Sequence, residues 1–295
     1  MNGTLRGSGM DYLFPVIAAT IWGGNAVVTK MSAGLIAPAE IGFYRWLLAV
    51  LLLTPFVIRQ LYANRVQVRR QFWKLAALGL LGGTIFQTLM YFAAPLTTAL
   101  NIGIIQALMP LMAIGLVSAL MAHRPGLGAL IGAAVSLVGV AILVTQGHPA
   151  TLLSQGLNAG DGMMLAATLS YAGYTVLLRH WQLGLPLLQS MYVQAVVATT
   201  ALLPLYLFGP RHGLTIDNVP LVLYAGILAS LVAPLVWIHG VGKLGPARMS
   251  LFFNLVPIVT ACLATVILSE HLTLYHLAGG ALTLGGVAFG SAQRA

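Results

Sequence analysis

Apolar residues in this chain gather into long runs, and polar residues collect in the short gaps between them. Runs of roughly 20 residues, each enough to carry a helix across about 30 Å of hydrocarbon, occupy Tyr12 to Met31, Pro38 to Ile58, Phe72 to Phe92, Leu96 to Met121, Leu127 to Thr145, Asp161 to Leu178, Pro186 to Phe208, Val219 to Ile238, Ala247 to Leu268 and Leu274 to Ser291. They neither alternate strictly nor shrink to the roughly 10 residues of a barrel strand, so the pattern predicts an all-α polytopic membrane protein with ten transmembrane helices. The first run follows Arg6 but is too long for a signal-peptide core, and reads as a retained first helix.

Composition agrees with the pattern. Of 295 residues, 59% are hydrophobic and 6% are charged, where a soluble domain carries roughly a quarter charged residues. Cys262 is the only cysteine, so an internal disulfide and a Cys-cluster metal site are excluded. The net charge of +9 acquires meaning from its placement. With ten spans, eleven of the 14 cations fall on the face that holds both termini, Lys30 and Arg211 fall on the other, and Arg45 lies inside a span. This bias predicts cytoplasmic N- and C-termini and attraction to anionic lipid, with no nucleic-acid partner.

The chain also repeats itself at an offset of 147 to 148. Ala18-Ala19-Thr20 recurs as Ala166-Ala167-Thr168, Pro38 as Pro186, Ala99 as Ala247, Pro110 as Pro257, His123 as His271 and Gly132 as Gly280. Residues 1–147 and 148–295 each hold five spans, an odd number, which predicts that the second unit lies inverted relative to the first. The charges fit. The connection Arg59 to Lys74 carries five cations and its counterpart Gly209 to Asn218 carries one. Inverted repeats point to a secondary transporter alternating access around a midplane site.

The run Met90-Tyr91-Phe92-Ala93-Ala94-Pro95-Leu96-Thr97-Thr98-Ala99, followed by Leu108-Met109-Pro110, resembles the EamA repeat of the drug/metabolite transporter superfamily. So does the second copy, Trp237 to Ala247, followed by Leu255-Val256-Pro257, Leu268-Ser269-Glu270 and Gly279-Gly280. The first copy departs from the family pattern at Met121-Ala122-His123-Arg124-Pro125. The resemblance implies a ten-helix carrier with a central cavity between its halves, without cofactors, most like the YddG-type amino-acid exporters of bacterial inner membranes. Relatives carry amino acids, purines, sugars and drugs, so other metabolites stay open as cargo.

Polar groups inside spans are costly and mark candidate sites. Trp22-Gly23-Gly24-Asn25 sets an indole and an amide beside a glycine pair, readable as helix packing or as a bend exposing backbone to substrate. Tyr171 and Tyr174 share one helix face. Pro110 and Pro257 are expected to kink their helices; Gln106 and Asn254, which match at the offset of 148, stand just before them. Gln87, Tyr91 and Trp237 complete the substrate-binding candidates, with Gln194 and Asn101 weaker. The five carboxylates, Asp11, Glu40, Asp161, Asp217 and Glu270, map to helix ends or loops. Their absence from span centres leaves proton coupling to an end-lying group such as Glu270 or His239, or else a facilitator, which is the favoured reading, and suits zwitterions with apolar or aromatic side chains.

Arg45 lies seven residues into its span, about 10 Å deep at 1.5 Å per residue. Its own helix face offers no counter-charge, so its partner is expected from another helix, from water or, by snorkelling, from the outer headgroups; flanked by Phe43, Tyr44 and Trp46, which resemble an interfacial aromatic belt, it is read as anchoring the outer gate. His271, His276 and Glu270 lack metal-ligand spacing and read as interfacial. Gly128, Gly132 and Ser136, with Gly286 and Gly290, form small-residue ladders suited to helix packing or to a weak homodimer in a protein otherwise read as a monomer. An intramembrane enzyme would need Gly-x-Ser-x-Gly, His-Glu-x-x-His or paired central aspartates, which the chain lacks. A membrane scaffold would need no repeat.

Overall fold

The computed structural model describes residues 9–121, 126–148, 158–244, 249, 252–253 and 255–292. Asn254 therefore lies outside the described residues. A short 3-10 turn, Gly9–Tyr12, leads into α1, Leu13–Ser32. There follow α2, Pro38–Ala63; α3, Arg65–Arg70; α4, Phe72–Ala93; α5, Ala99–Gln106; α6, Met109–Met121; and α7, Leu127–Val144. The remainder is α8, Ala159–Trp181; α9, Leu187–Phe208; α10, Val219–Leu244; α11, Leu255–Leu268; and α12, Leu274–Ala292. The described residues are all-helical apart from connections, and six helical stretches among them, one of which joins α5 and α6, are long and apolar enough to cross a membrane. This is a multi-pass membrane protein.

The run expected as one span from Leu96 to Met121 is divided. Pro110 has no N–H to give to Gln106, and the chain turns at Ala107 and Leu108, whose amides reach back only three residues to Ile104 and Ile105. Pro257 sits in the first turn of α11, where a missing N–H costs nothing. The glycine pair of α1 introduces no break, since Leu13–Ser32 is one continuous helix. A Cβ on Gly23 would stand 2.8 Å from Val259, and Tyr224 passes so close to Gly24 that it donates to the Ile21 carbonyl. The pair is a packing contact.

Helices α4 and α10 each widen into π-helix, over Gly79–Ile85 and Tyr224–Val232 respectively. Close approaches accompany the widening. A Cβ on Gly79 would stand 2.8 Å from the Gln194 carbonyl oxygen, and one on Gly226 would stand 3.1 Å from that of Arg45. A π turn breaks the regular ladder and frees carbonyls for other donors. Trp22 Nε1 donates to Ala229, Ser170 Oγ to Leu81 and Trp46 Nε1 to Gly83.

Around this centre α2 packs along α9, α1 against α10 and α11, and α8 against α4 and α6. At one side α7 and α12 form their own tight pair. A Cβ on Gly139 would meet the Gly279 carbonyl at 2.6 Å, and one on Gly286 that of Gly132 at 2.6 Å, while Ser136 Oγ donates to Thr283. The small-residue ladder through Gly132, Ser136 and Gly286 is thus used for packing within the chain.

Candidate functional site

Arg45 is 3% exposed and does not reach toward lipid headgroups. Its Nε donates to Ser230 Oγ at 2.6 Å, and its Nη1 faces Gln87 Oε1 at 3.1 Å, Asn25 Oδ1 at 3.2 Å and the Tyr91 hydroxyl at 3.2 Å. Nη2 makes none of these bonds. Four helices therefore meet at one guanidinium: α1 through Asn25, α2 itself, α4 through Gln87 and Tyr91, and α10 through Ser230. Of the expected sources of a partner, other helices supply all four acceptors, and the snorkelling alternative fails because the head group is buried among them.

The aromatic neighbours of Arg45 also turn inward. Phe43 stacks on Tyr206 at 4.4 Å, the Tyr44 and Tyr206 hydroxyls are 3.0 Å apart, and Trp46 is spent on the Gly83 carbonyl. They join α2 to α9 and α4.

All four partners of Arg45 are neutral. The carboxylates are engaged elsewhere: both oxygens of Glu40 accept from the amides of His212 and Gly213, those of Glu270 from Ala99 and Leu100, and Asp161 binds Thr97 and Asn101. Asp11 lies in the N-terminal 3-10 turn and Asp217 in the turn before α10. A buried cation costs several kcal/mol of desolvation that dipoles only partly return. Among the described residues the guanidinium is thus buried with no carboxylate partner.

Two aromatic groups flank it. Trp22, Trp237 and Phe253 form a triangle with ring centroids 5.4 to 5.8 Å apart. It is tied to the Arg45 cluster through α10, where Ala229 accepts from Trp22 and the next residue, Ser230, accepts from Arg45. On the other flank Tyr171 lies 4.7 Å from Phe86 and 5.0 Å from Tyr174, within electrostatic reach of the Arg45 charge. Gln106 stands apart, with its amide against the Met90 sulfur at 3.4 Å. Of the expected residues, the structure sets Asn25, Gln87 and Tyr91 on Arg45 itself and Tyr171 within reach of its charge; Trp22 and Trp237 belong to the ring triangle linked through α10, and Tyr174 packs on Tyr171.

Sequence reasoning overlooked Ser230 and Phe253. Ser230 carried a usable signal, being a hydroxyl alone among Leu228, Ala229, Leu231 and Val232. Phe253 carried none, since an apolar ring in an apolar run is unremarkable.

The model of the EamA-like transporter family matches the chain twice, over residues 10–145 and 158–291. The chain belongs to the EamA-like transporter family. Similar members include the uncharacterized transporter YyaM of Bacillus subtilis, 24% identical over 90% of this chain and 88% of that protein. An uncharacterized transporter of Archaeoglobus fulgidus is 27% identical over 96% and 98%. Protein PecM of Dickeya dadantii is 29% identical over 70% and 69%. A crystal structure covering 96% of this EamA-like transporter and 97% of its own chain shares the fold, with a TM-score of 0.66 at 20% identity.

Proposed function

We propose that this membrane transporter carries small metabolites bearing one carboxylate and an apolar or aromatic side chain, amino acids foremost, across a bacterial inner membrane. The observation that carries the reading is the buried Arg45 guanidinium, ringed by neutral acceptors. A substrate carboxylate provides the missing counter-charge and the planar acceptor pair that a guanidinium fork matches. The Trp22, Trp237 and Phe253 rings offer an apolar wall for the side chain and ring faces for the ammonium.

Two inverted five-helix halves, residues 1–147 and 148–295, are the mechanical part of the proposal. Support comes from the packing: the bond from Trp22 to Ala229 and the bond from Ser170 to Leu81 are related by the offset of 148 at both ends. Both end on the π-helical stretches of α4 and α10. Such paired irregularities suit two halves that rock around a shared centre. With Glu40, Asp161 and Glu270 committed at helix ends, transport runs down the substrate gradient.

Counterflow of labelled phenylalanine or leucine into proteoliposomes tests the reading. Free amino acids should compete, while their carboxamides and decarboxylated amines should not. Folded protein giving no flux with any amino acid would overturn it, and so would equal competition by the amines.

A further inference from the structure

Where α2 meets the connecting helix α3, at the end of the bundle far from Lys30, the surface holds a cleft of about 640 Å³. That volume lies within the range of small-molecule sites. Its walls include Ile58, Tyr62, Arg65, Arg69, Phe72 and Trp73. Tyr62 is 70% exposed and Trp73 82% exposed. The cleft therefore combines uncovered apolar surface with two guanidinium groups.

Arg65 and Arg69 are four residues apart on α3, so they share a helix face and repel each other. Arg59, Arg70 and Lys74 add to the same field, and the sequence has no acidic residue between Glu40 and Asp161. The Arg65 guanidinium is held 4.5 Å over the Tyr62 ring, which orients its donors without neutralising them. A doubly cationic face beside an apolar cleft, at the edge of the spanning helices, calls for a ligand that is anionic at one end and apolar along its length.

We propose that this cleft is a binding site for one anionic phospholipid. The headgroup phosphate bridges Arg65 and Arg69, and the acyl chains lie along Ile58, Phe72 and Trp73. Arginine suits the phosphate because its planar fork presents parallel donors to two oxygens. Basic pockets at helix ends recognise lipid headgroups by this combination of charge and apolar surface. The site is separate from the Arg45 cluster, so its occupancy does not depend on the identity of the cargo.

The test uses the delipidated full-length protein in detergent. Phosphatidylglycerol is added in one arm, phosphatidylcholine with the same acyl chains in the second and inorganic phosphate in the third, with thermal unfolding and native mass spectrometry as readouts. Phosphatidylglycerol should raise the unfolding temperature and remain bound. In R65Q/R69Q its affinity should fall at least tenfold, whereas Arg59→Gln, which lies outside the cleft and contributes only to the surrounding field, should lower it by no more than about twofold. An equal shift with phosphatidylcholine would reduce the cleft to a greasy groove, and one with inorganic phosphate would make it a phosphate site; either overturns the proposal. Undiminished affinity in the double variant would do the same. Should that variant fail to fold, phosphatidylglycerol with brominated chains must quench the wild type more than Trp73→Phe does, and equal quenching refutes the assignment.

Discussion

Replacing Arg45 by methionine separates a binding charge from a structural pin. The substitution keeps an unbranched side chain of similar reach and removes the guanidinium with its four hydrogen bonds. At about 1.5 to 3 kcal/mol for each bond to a charged group, the loss is nominally about 6 to 12 kcal/mol. Against this stands the desolvation of a charge that no carboxylate pairs, several kcal/mol by itself, and buried ions can often be replaced by apolar residues at little net cost. Ser230 keeps its bond to the Ala225 carbonyl. The expected net change in stability is within about 2 kcal/mol, or about 4 °C in unfolding temperature for a chain of this size. Transport should respond differently. Losing one charge-assisted contact to a substrate carboxylate removes about 1.5 to 3 kcal/mol, a rise in apparent KM of roughly ten- to a hundredfold. Arg45→Lys keeps the charge but loses the fork, and should fall between the two. The assay is counterflow in proteoliposomes beside thermal unfolding in detergent. A variant that unfolds far earlier while the surviving folded fraction keeps its KM would refute the reasoning, because Arg45 would then hold helices and not cargo.

Trp22→Phe keeps the ring triangle but deletes the donor to Ala229; about 1 kcal/mol of stability should be lost, with the KM for aromatic cargo changed less than by Trp22→Ala. Gly139→Val drives a side chain into the Gly279 carbonyl and the Thr283 amide, so the α7 and α12 pair should loosen at a cost of about 1 to 3 kcal/mol, seen as a lower unfolding temperature and faster amide exchange in both helices. Glu270→Gln removes the charge that accepts from Ala99 and Leu100 at the start of α5; a loss of about 0.5 to 2 kcal/mol is expected, measured as faster exchange of those two amides with substrate affinity unchanged.

The apolar runs made most helices legible, since a span of this length has few alternatives in a bilayer. Their interruptions were less so. Nothing in the composition of Gly79–Ile85 or Tyr224–Val232 marks a π-helix, because the extra residue per turn is stabilised by donors from other helices, Trp46, Ser170 and Trp22. The division of Leu96 to Met121 was half visible, in that Pro110 promised a kink but not a loss of two residues to a turn. Arg45 was misplaced for a related reason. Depth along a helix can be counted from its sequence, whereas the side of the bundle it faces depends on Asn25, Gln87, Tyr91 and Ser230, which are distant in the chain. Each of the first three was individually legible as an isolated polar residue, but their convergence on one cation was not.

The two ends of the bundle are closed by different chemistry. At the end of α1, Lys30 Nζ reaches the carbonyls of Ala94 and Thr97, Glu40 holds the loop at His212 and Gly213, Asp161 binds Thr97 and Asn101, and Glu270 caps Ala99. These bonds use ionised groups, several of them buried, and each gains strength from the low local dielectric. At the opposite end the ties joining Asn64 to Gln189, and Gln67 and Gln71 to the Leu183 carbonyl, are neutral amide bonds. Breaking a charge-assisted bond costs roughly twice as much as breaking a neutral one, so bond for bond these ties at the Lys30 end are stronger than the three amide ties at the other. Arg45 stands one layer beneath the stronger closure, seven residues from the start of α2. An anion that draws its guanidinium from Ser230, Asn25, Gln87 and Tyr91 loosens α2 from α1, α4 and α10 together. In the transport cycle proposed above, binding at Arg45 would thereby weaken the helix contacts just below the closure at the Lys30 end.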